Sequence, residues 1–171
     1  MPLTLAELNA LDEPRFTAAL GHLFEHSPWV AQRTHKAGPF PDAFTLHATL
    51  CATMHAASHD EQLALVRAHP DLAGRLAQQN QLTAESTREQ ASAGLDVMPA
   101  EELATFQALN ESYKQRFGFP FIICARLNDR SSIRAAMKAR VTNGKEIEFQ
   151  TALGEIEKIA WLRLRDTIKP D

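Results

Sequence analysis

Apolar residues recur at helical spacing along almost the whole chain, and this periodicity limits the fold more than any other feature. The first stripe of i, i+3 and i+4 positions comprises Phe16, Ala19, Leu20, Leu23 and Phe24. For the apolar run 119–124, periodicity leaves open whether the chain forms a strand or a buried coil. The sequence therefore predicts an all-α, single-domain helical bundle of about eight to nine helices over residues 1–171.

Capping residues predict where these helices begin, because their side chains can satisfy the free backbone amides of a helix start. The predicted start signals are the capping box of Thr4 and Glu7, Asp12 before Pro14, the step Ser27-Pro28-Trp29, Asp42, the capping box of Ser58 and Glu61, and Ser131 or Ser132. Helices are predicted over residues 43–57, 58–68, 83–95, 100–116 and 145–167, with a short helix over 71–79. The helix that begins at Ser131 or Ser132 ends near 143–144.

Charge and composition exclude several classes of protein. The formal net charge is −3 and is spread along the chain, which argues against a nucleic acid or a membrane surface as partner. No apolar run approaches the roughly 18 residues of a membrane span, and the N-terminus lacks the basic start and apolar core of a signal peptide. The two cysteines, Cys51 and Cys124, suit a reducing compartment. We therefore expect a soluble cytoplasmic protein.

All 7 histidines lie within the first 69 residues, and two local patterns raise the hypothesis of a metal site. Residues 22–26 match the pattern H-x-x-E-H, and His55 and His59 are one helical turn apart. The short match is weak, His26 stands beside a predicted helix end, and His59 lies in a capping segment. We predict no metal and keep a metal-dependent hydrolase as an alternative.

His69 and Glu89 are the candidate acid–base groups. Pro70 fixes the direction in which the His69 imidazole leaves the preceding helix. A histidine and a glutamate on adjacent elements can hold opposite protonation states, which general acid–base catalysis requires. The structural alternative is that His69 caps a helix and Glu89 pairs with a neighbouring arginine, Arg75 or Arg88.

The run 117–124 is a further candidate, because Pro120 prevents a helix and the apolar neighbours require burial. Buried backbone groups must be paired or offered to a ligand. The amides of residues 121–125 can therefore line a pocket for a polar heterocycle, while a core plug between helices is the alternative. We expect Cys124 to be a small buried hydrophobe rather than a nucleophile.

Two arginines of the last predicted helix, Arg163 and Arg165, point in different directions because they are two residues apart. An inward-facing arginine can clamp a carboxylate or imide in fork geometry, whereas surface arginines with extended stems are the alternative. The spacing places Arg163 on the apolar stripe of Ile156, Ile159 and Ala160. We therefore expect Arg163 rather than Arg165 to bind an anionic group.

Four stretches together resemble the 2-oxo-4-hydroxy-4-carboxy-5-ureidoimidazoline (OHCU) decarboxylases of uric acid breakdown. They are Phe24-Glu25-His26-Ser27-Pro28-Trp29, His69-Pro70-Asp71-Leu72-Ala73-Gly74, Ser86-Thr87-Arg88-Glu89-Gln90-Ala91-Ser92-Ala93-Gly94-Leu95 and residues 117–126. They occur in the order found in that family, from about residue 5 to residue 165. The histidine pattern at residues 22–26 overlaps the first of them, which weakens the metal hypothesis further.

The resemblance implies an all-helical, often dimeric carboxy-lyase that uses no cofactor and converts the small molecule OHCU to (S)-allantoin. It implies that His69 and Glu89 are the catalytic pair. The substrate contacts that it implies are Pro70, Ser86, Thr87, Arg88, Gln90, Phe121, Ile122, Ile123, Cys124, Ala125 and Arg163. Besides the hydrolase, a non-catalytic helical interaction module remains an alternative.

Overall fold

A computed structural model describes residues 2–74 and 80–169, and these ranges contain nine α-helices. Their β-pairing is limited to one isolated parallel bridge between Leu3 and Ile168. The predicted all-α fold and the number of helices are therefore confirmed. No helix in the described ranges is both long and apolar enough to cross a membrane. The chain divides into two compact units, Met1–Ala68 with Glu157–Asp171 and His69–Ile156.

The first unit holds five complete helices and the end of the last one. The five are α1 (Leu5–Asn9), α2 (Glu13–Leu20), α3 (Trp29–Thr34), α4 (Ala43–His55) and α5 (His59–Ala68). The Thr4 capping box starts α1, and the carboxylates of Asp12 and Asp42 accept hydrogen bonds from the first turns of α2 and α4. Ser58 and Glu61 form the predicted capping box at α5. These starts are confirmed.

Helix α3 starts at the predicted step Ser27-Pro28-Trp29, but its start has no side-chain cap. The Ser27 hydroxyl donates to the Glu25 carbonyl at 2.9 Å, and no side chain caps α3. His26 has a φ of 48°, in the left-handed region. Residues 24–27 therefore form a tight turn in which Ser27 stabilises the turn rather than the helix.

The core of the first unit consists of aliphatic and aromatic side chains from all its helices. Among them, Leu8, Phe16, Leu20, Val30, Leu46, Leu50, Met54, Leu65, Ala160 and Leu164 are at most 1% exposed. Backbone hydrogen bonds join the two ends of the chain, from the Leu3 amide to the Thr167 carbonyl at 3.1 Å and from the Lys169 amide to the Leu3 carbonyl at 2.7 Å.

The second unit contains α6 (Ala84–Ser92), α7 (Ala100–Phe117), α8 (Arg130–Arg140) and the beginning of α9 (Lys145–Thr167). The bounds of α7 and α9 agree with the prediction, and Gly118 ends α7 with a φ of 77°. The predicted helix 83–95 is too long, because Gly94 also has a φ of 77° and turns the chain. The Leu95 amide then donates to the Gln90 carbonyl at 3.0 Å.

The predicted start of α8 at Ser131 or Ser132 is wrong. Asp129 is the cap, since its carboxylate accepts from the Ser132 amide at 2.8 Å while the Ser132 hydroxyl accepts from the Asp129 amide at 3.0 Å. The helix ends at Arg140 rather than near 143–144. Of the predicted helix 71–79, residues 71–74 form an irregular turn and residues 75–79 lie outside the described residues.

Candidate active site

His69 opens an irregular loop directly after α5. The helix ends at Ala68, as Pro70 predicts, and His69 is 9% exposed. Further along the loop, Ala73 has a φ of 51°, a left-handed conformation that is strained for a residue with a β-carbon. Such a conformation persists only where neighbouring groups hold the backbone.

Gln90 on α6 holds this loop with both ends of its side-chain amide. Its Oε1 accepts a hydrogen bond from the Ala73 amide at 2.9 Å, and its Nε2 donates to the Asp71 carbonyl at 3.3 Å. Gln90 is the residue after Glu89, so it links the loop that contains His69 to the helix that carries Glu89. Its implied role as a substrate contact stays a prediction.

Two side chains of α7 hold the same loop, and the sequence analysis assigned neither of them to the site. Asn110 donates from Nδ2 to the Leu72 carbonyl at 2.8 Å. One turn later, the Lys114 ammonium lies 2.7 Å from the Asp71 carboxylate. The only sequence signal for either residue is a polar side chain on a helix; the loop that they hold lies about 40 residues earlier in the chain.

α6 directs its candidate catalytic face inward. Thr83 caps the helix, its hydroxyl accepting from the Ser86 amide at 3.2 Å. Ser86 and Gln90 are buried and Glu89 is half-buried. The face predicted to be shared by Ser86 and Glu89 is therefore present.

Thr87 and Arg88 lie on the exposed face of α6. The Thr87 hydroxyl donates to the Thr83 carbonyl at 2.9 Å, and the Arg88 guanidinium lies 3.9 Å from the Glu85 carboxylate. Their implied substrate contacts stay predictions. Arg75, the other arginine considered as a partner of Glu89, lies outside the described residues.

The run 119–124 is a buried coil, which settles the choice between strand and coil. Two of its carbonyls accept hydrogen bonds from side chains. The Ile122 carbonyl accepts from Arg140 at 2.8 Å, and the Cys124 carbonyl accepts from Asn128 at 2.9 Å. Within residues 2–74 and 80–169, the backbone amides of residues 121–125 donate to no protein acceptor. Buried amides of this kind can pair with a polar ligand, and their implied contact with the substrate stays a prediction.

Helix α6, which carries Glu89, packs against residues 125–127 at the end of this coil. Burial raises the pKa of the Cys124 thiol, and the carboxylates of Glu155 and Glu89 raise it further. Cys124 thus stays protonated and is buried, which fits the predicted small hydrophobe and not a nucleophile. The second unit therefore packs the helix of Glu89 against the end of the buried coil, and Gln90 links that helix to the His69 loop.

A buried network supports the coil, and the sequence analysis missed it. Glu148 is 0% exposed and accepts from the Tyr113 hydroxyl, from Asn143 at 2.9 Å and from Arg140 at 3.1 Å. The Arg140 guanidinium also lies 4.2 Å from the centre of the Phe121 ring. Burial and the hydrogen bond to Glu148 raise the pKa of Tyr113 above its usual range. The network keeps Phe121 and the following carbonyl in place.

Arg163 belongs to the first unit and is buried there, as its place on the apolar stripe predicts, whereas Arg165 is exposed. The Arg163 guanidinium donates to the His22 carbonyl at 3.0 Å and to the Glu25 carboxylate at 3.0 Å. Both charged side chains are at most 3% exposed. Arg163 therefore has a protein partner for its charge, and its implied contact with the substrate stays a prediction.

The histidine patterns have other environments than a metal site. His22 Nε2 lies 3.0 Å from the Thr167 hydroxyl. His55 ends α4 and pairs with Glu157, while His59 begins α5, so the expectation that these two histidines share a helical turn is wrong. The Ser58 capping box starts a new helix between them. In the described part of the chain, no three His, Cys, Asp or Glu side chains are arranged to hold a metal ion.

Comparison with known proteins identifies the family. A sequence model described as OHCU decarboxylase matches residues 9–165. The chain is 44% identical over 168 residues to the 2-oxo-4-hydroxy-4-carboxy-5-ureidoimidazoline decarboxylase of Halalkalicoccus jeotgali, covering 98% of this chain and 93% of that protein. The enzyme of the same name from Mus musculus is 38% identical over 166 residues, covering 97% and 93% of the two chains.

Two crystal structures share the fold. An (S)-allantoin synthase superposes with a TM-score of 0.80 at 30% identity; the match covers 98% of this chain and 54% of that one, so the present chain spans about half its length. An OHCU decarboxylase in the presence of (S)-allantoin gives a TM-score of 0.69 at 24% identity, covering 91% and 97% of the two chains, and shows the likeness of fold.

The fold and the relatives together define an all-α decarboxylase. The chain belongs to the OHCU decarboxylase family.

Proposed function

We propose that this chain decarboxylates OHCU to (S)-allantoin in uric acid degradation, without a cofactor. The observation that carries the proposal is the family match over residues 9–165. The packing of α6, which carries Glu89, against the end of a coil with available backbone amides supports it. His69 and Glu89 are the proposed catalytic pair, and the amides of residues 121–125 are the proposed contacts with the polar ring of the substrate.

The chemistry suits a protein that supplies only acid–base groups and orientation. In OHCU the carboxylate is attached to a carbon next to a C=N bond. The bond to the carboxylate breaks and carbon dioxide leaves. The released electron pair forms a C=C bond to the neighbouring carbon, and the π pair of the C=N bond moves to the nitrogen, which takes up a proton. The hydroxyl on the first carbon then loses its proton to become a carbonyl, and the neighbouring carbon takes up a proton on one face.

We assign these proton transfers to His69 and Glu89, because two such groups can hold opposite protonation states at neutral pH. Buried amides that hold the ring in one orientation expose one face to the proton donor, which gives a single enantiomer. The substrate itself accepts the electrons.

A coupled assay tests the proposal. Urate is oxidised and hydrolysed enzymatically to generate fresh OHCU, the protein is added, and optical rotation is followed. We expect faster formation of dextrorotatory allantoin than in a protein-free control. An unchanged rate would contradict the proposal and favour a non-catalytic interaction module.

Removal of metal ions is expected to leave the activity unchanged. The reason is that the C=N bond of the substrate accepts the electrons and the proton transfers are assigned to side chains. The measurement is the coupled assay before and after dialysis of the protein against a chelator, with re-addition of zinc as the control. Loss of activity that zinc restores would revive the metal-dependent hydrolase.

Arg163→Gln is expected to raise KM at least several-fold, whereas Arg165→Gln should leave KM unchanged. An arginine that binds substrate without moving protons contributes to binding more than to turnover. Arg165 is exposed and serves as the matched control. Because Arg163 also pairs with Glu25, circular dichroism and thermal unfolding are measured for each variant to check that it is folded. A folded Arg163→Gln protein with unchanged KM would leave Arg163 with a structural role alone.

We also propose, from the resemblance, a cytoplasmic homodimer in which residues 1–171 act as one domain. The family match includes residues of both compact units, which supports the single domain. Both cysteines are free, which supports a reducing compartment. Light scattering during gel filtration tests the dimer.

A further inference from the structure

We propose that Asn110 is a positioning residue for His69: its buried amide fixes the backbone of the loop that His69 opens, and so fixes the imidazole against the substrate. The inference rests on the proposed function, because it gives Asn110 a task in the reaction assigned to His69. Asn110 lies on α7, outside every stretch from which the site was predicted.

The Asn110 side chain makes one hydrogen bond in a buried place. The residue is 4% exposed, and its Nδ2 donates to the Leu72 carbonyl at 2.8 Å. Its Oδ1 is buried and accepts no hydrogen bond from a described residue. The carbonyl of Leu72 can only accept, so the amide nitrogen must face it. The bond therefore fixes both the side chain and the third residue after His69.

The loop needs support from outside because it supplies little of its own. Within residues 70–74 the one backbone hydrogen bond, from the Gly74 amide to the Asp71 carbonyl, is long at 3.4 Å. Ala73 is held in the left-handed region. A β-carbon on Gly74 would lie 2.5 Å from the Asp71 β-carbon, so the turn is also tight. We expect a strained turn of this kind to change its conformation when the side chains that bind it are removed.

Among the described residues, three side chains hold the loop, and of these Asn110 binds Leu72 in its middle from a buried position. Gln90 holds Asp71 and Ala73 from α6, but it is itself an implied substrate contact and therefore gives an ambiguous test. Lys114 is 40% exposed, so solvent weakens its ion pair with Asp71. The buried bond of Asn110 should therefore matter most, and Lys114 should show the same effect more weakly.

Displacement of a catalytic group by about 1 Å can cost roughly 100-fold in rate. Because Asn110 acts through His69 and not on the ring, its loss should lower kcat and leave KM nearly unchanged. We expect Asn110→Leu to lower kcat by about 10- to 100-fold with KM changed less than about threefold, and Lys114→Met to lower kcat several-fold.

The values of kcat and KM for Asn110→Leu and Lys114→Met are compared with those of two matched control variants in the second unit. Gln107→Leu removes an exposed amide of α7, and Lys138→Met removes an exposed lysine of α8; both should leave kcat unchanged. If Asn110→Leu does not fold, Lys114→Met still tests the proposal, because it alters only a partly exposed side chain. Wild-type kcat in every folded variant, or a rise in KM without a fall in kcat, would overturn the proposal.

A second measurement needs no substrate. The imidazole resonances of His69 are identified in ¹H–¹⁵N spectra by their absence from the His69→Ala protein. They should shift in Asn110→Leu and Lys114→Met and stay in place in the two controls. Unshifted resonances would overturn the positioning role even if the enzyme were slower. A wild-type protein that does not turn over OHCU would instead overturn the proposed function, and the spectra would still decide the role of Asn110.

Discussion

Replacing His69 or Glu89 by alanine is expected to lower kcat by about 10²–10⁴-fold, because positioned acid–base groups contribute rate factors of that size. The helical fold should persist. His69 lies just beyond the end of α5, and α6, which carries Glu89, is capped by Thr83. The measurements are the coupled assay for kcat and circular dichroism for helix content.

Two further variants sharpen this test. Glu89→Gln keeps the shape of the side chain and removes its ability to exchange a proton, so it should be nearly as slow as Glu89→Ala. Glu111→Gln makes the same change at an exposed glutamate of α7 that is not assigned to the site, and it is the matched control. Near wild-type turnover by either alanine variant of the pair would show that the assignment of the catalytic residues is wrong.

The second large effect concerns stability. Glu25→Ala is expected to lower the free energy of unfolding by about 3–5 kcal/mol, because removing one partner of a buried ion pair leaves the other charge uncompensated. Glu25 and Arg163 have side chains only 2% and 3% exposed, and their charged atoms are 3.0 Å apart. Urea unfolding followed by circular dichroism measures the change.

A double variant separates the buried charge from the packing. Glu25→Leu combined with Arg163→Met replaces both charges by apolar groups and should recover most of the lost stability. Arg33→Ala, which breaks the exposed ion pair with Glu61, should lower the free energy of unfolding much less. Equal losses for Glu25→Ala and Arg33→Ala would contradict the argument.

The features that the sequence predicted well depend on neighbours in the chain. The caps Thr4, Asp12 and Asp42 act on amides of their own first turn, and Pro70 stops the helix just before it. The inward face of α6 follows from helical spacing alone. In the same way, the stripe on α9 predicted that Arg163 would be buried.

The errors in the predicted helix ends arose where two local signals lie within a few residues of each other. Asp129 and Ser132 both favour a helix start, and they act together, so the serine that was expected to be the cap is the reciprocal partner of the aspartate. Gly94 was placed inside α6, although its freedom to adopt positive φ ends the helix before it.

What the sequence could not show depends on residues far apart in the chain. Tyr113 and Glu148 are 35 positions apart, and Asn110 and Leu72 are 38 apart. Tyr113, Glu148 and Asn110 are ordinary polar side chains on helices when taken by themselves, and Leu72 is an apolar loop residue that takes part through its carbonyl. Only the packing of the second unit makes them partners, and these partners hold the proposed catalytic elements.

The two buried thiols can report how often each compact unit unfolds locally. Each compact unit contains one buried cysteine, Cys51 in the first and Cys124 in the second. Burial raises the pKa of Cys51 to about 12 and also raises that of Cys124, so neither is a reactive thiolate in the folded protein at neutral pH. A thiol reagent will therefore label each cysteine only when its surroundings unfold. Labelling rates resolved by mass spectrometry then report the free energy of opening of each unit separately, without an introduced label.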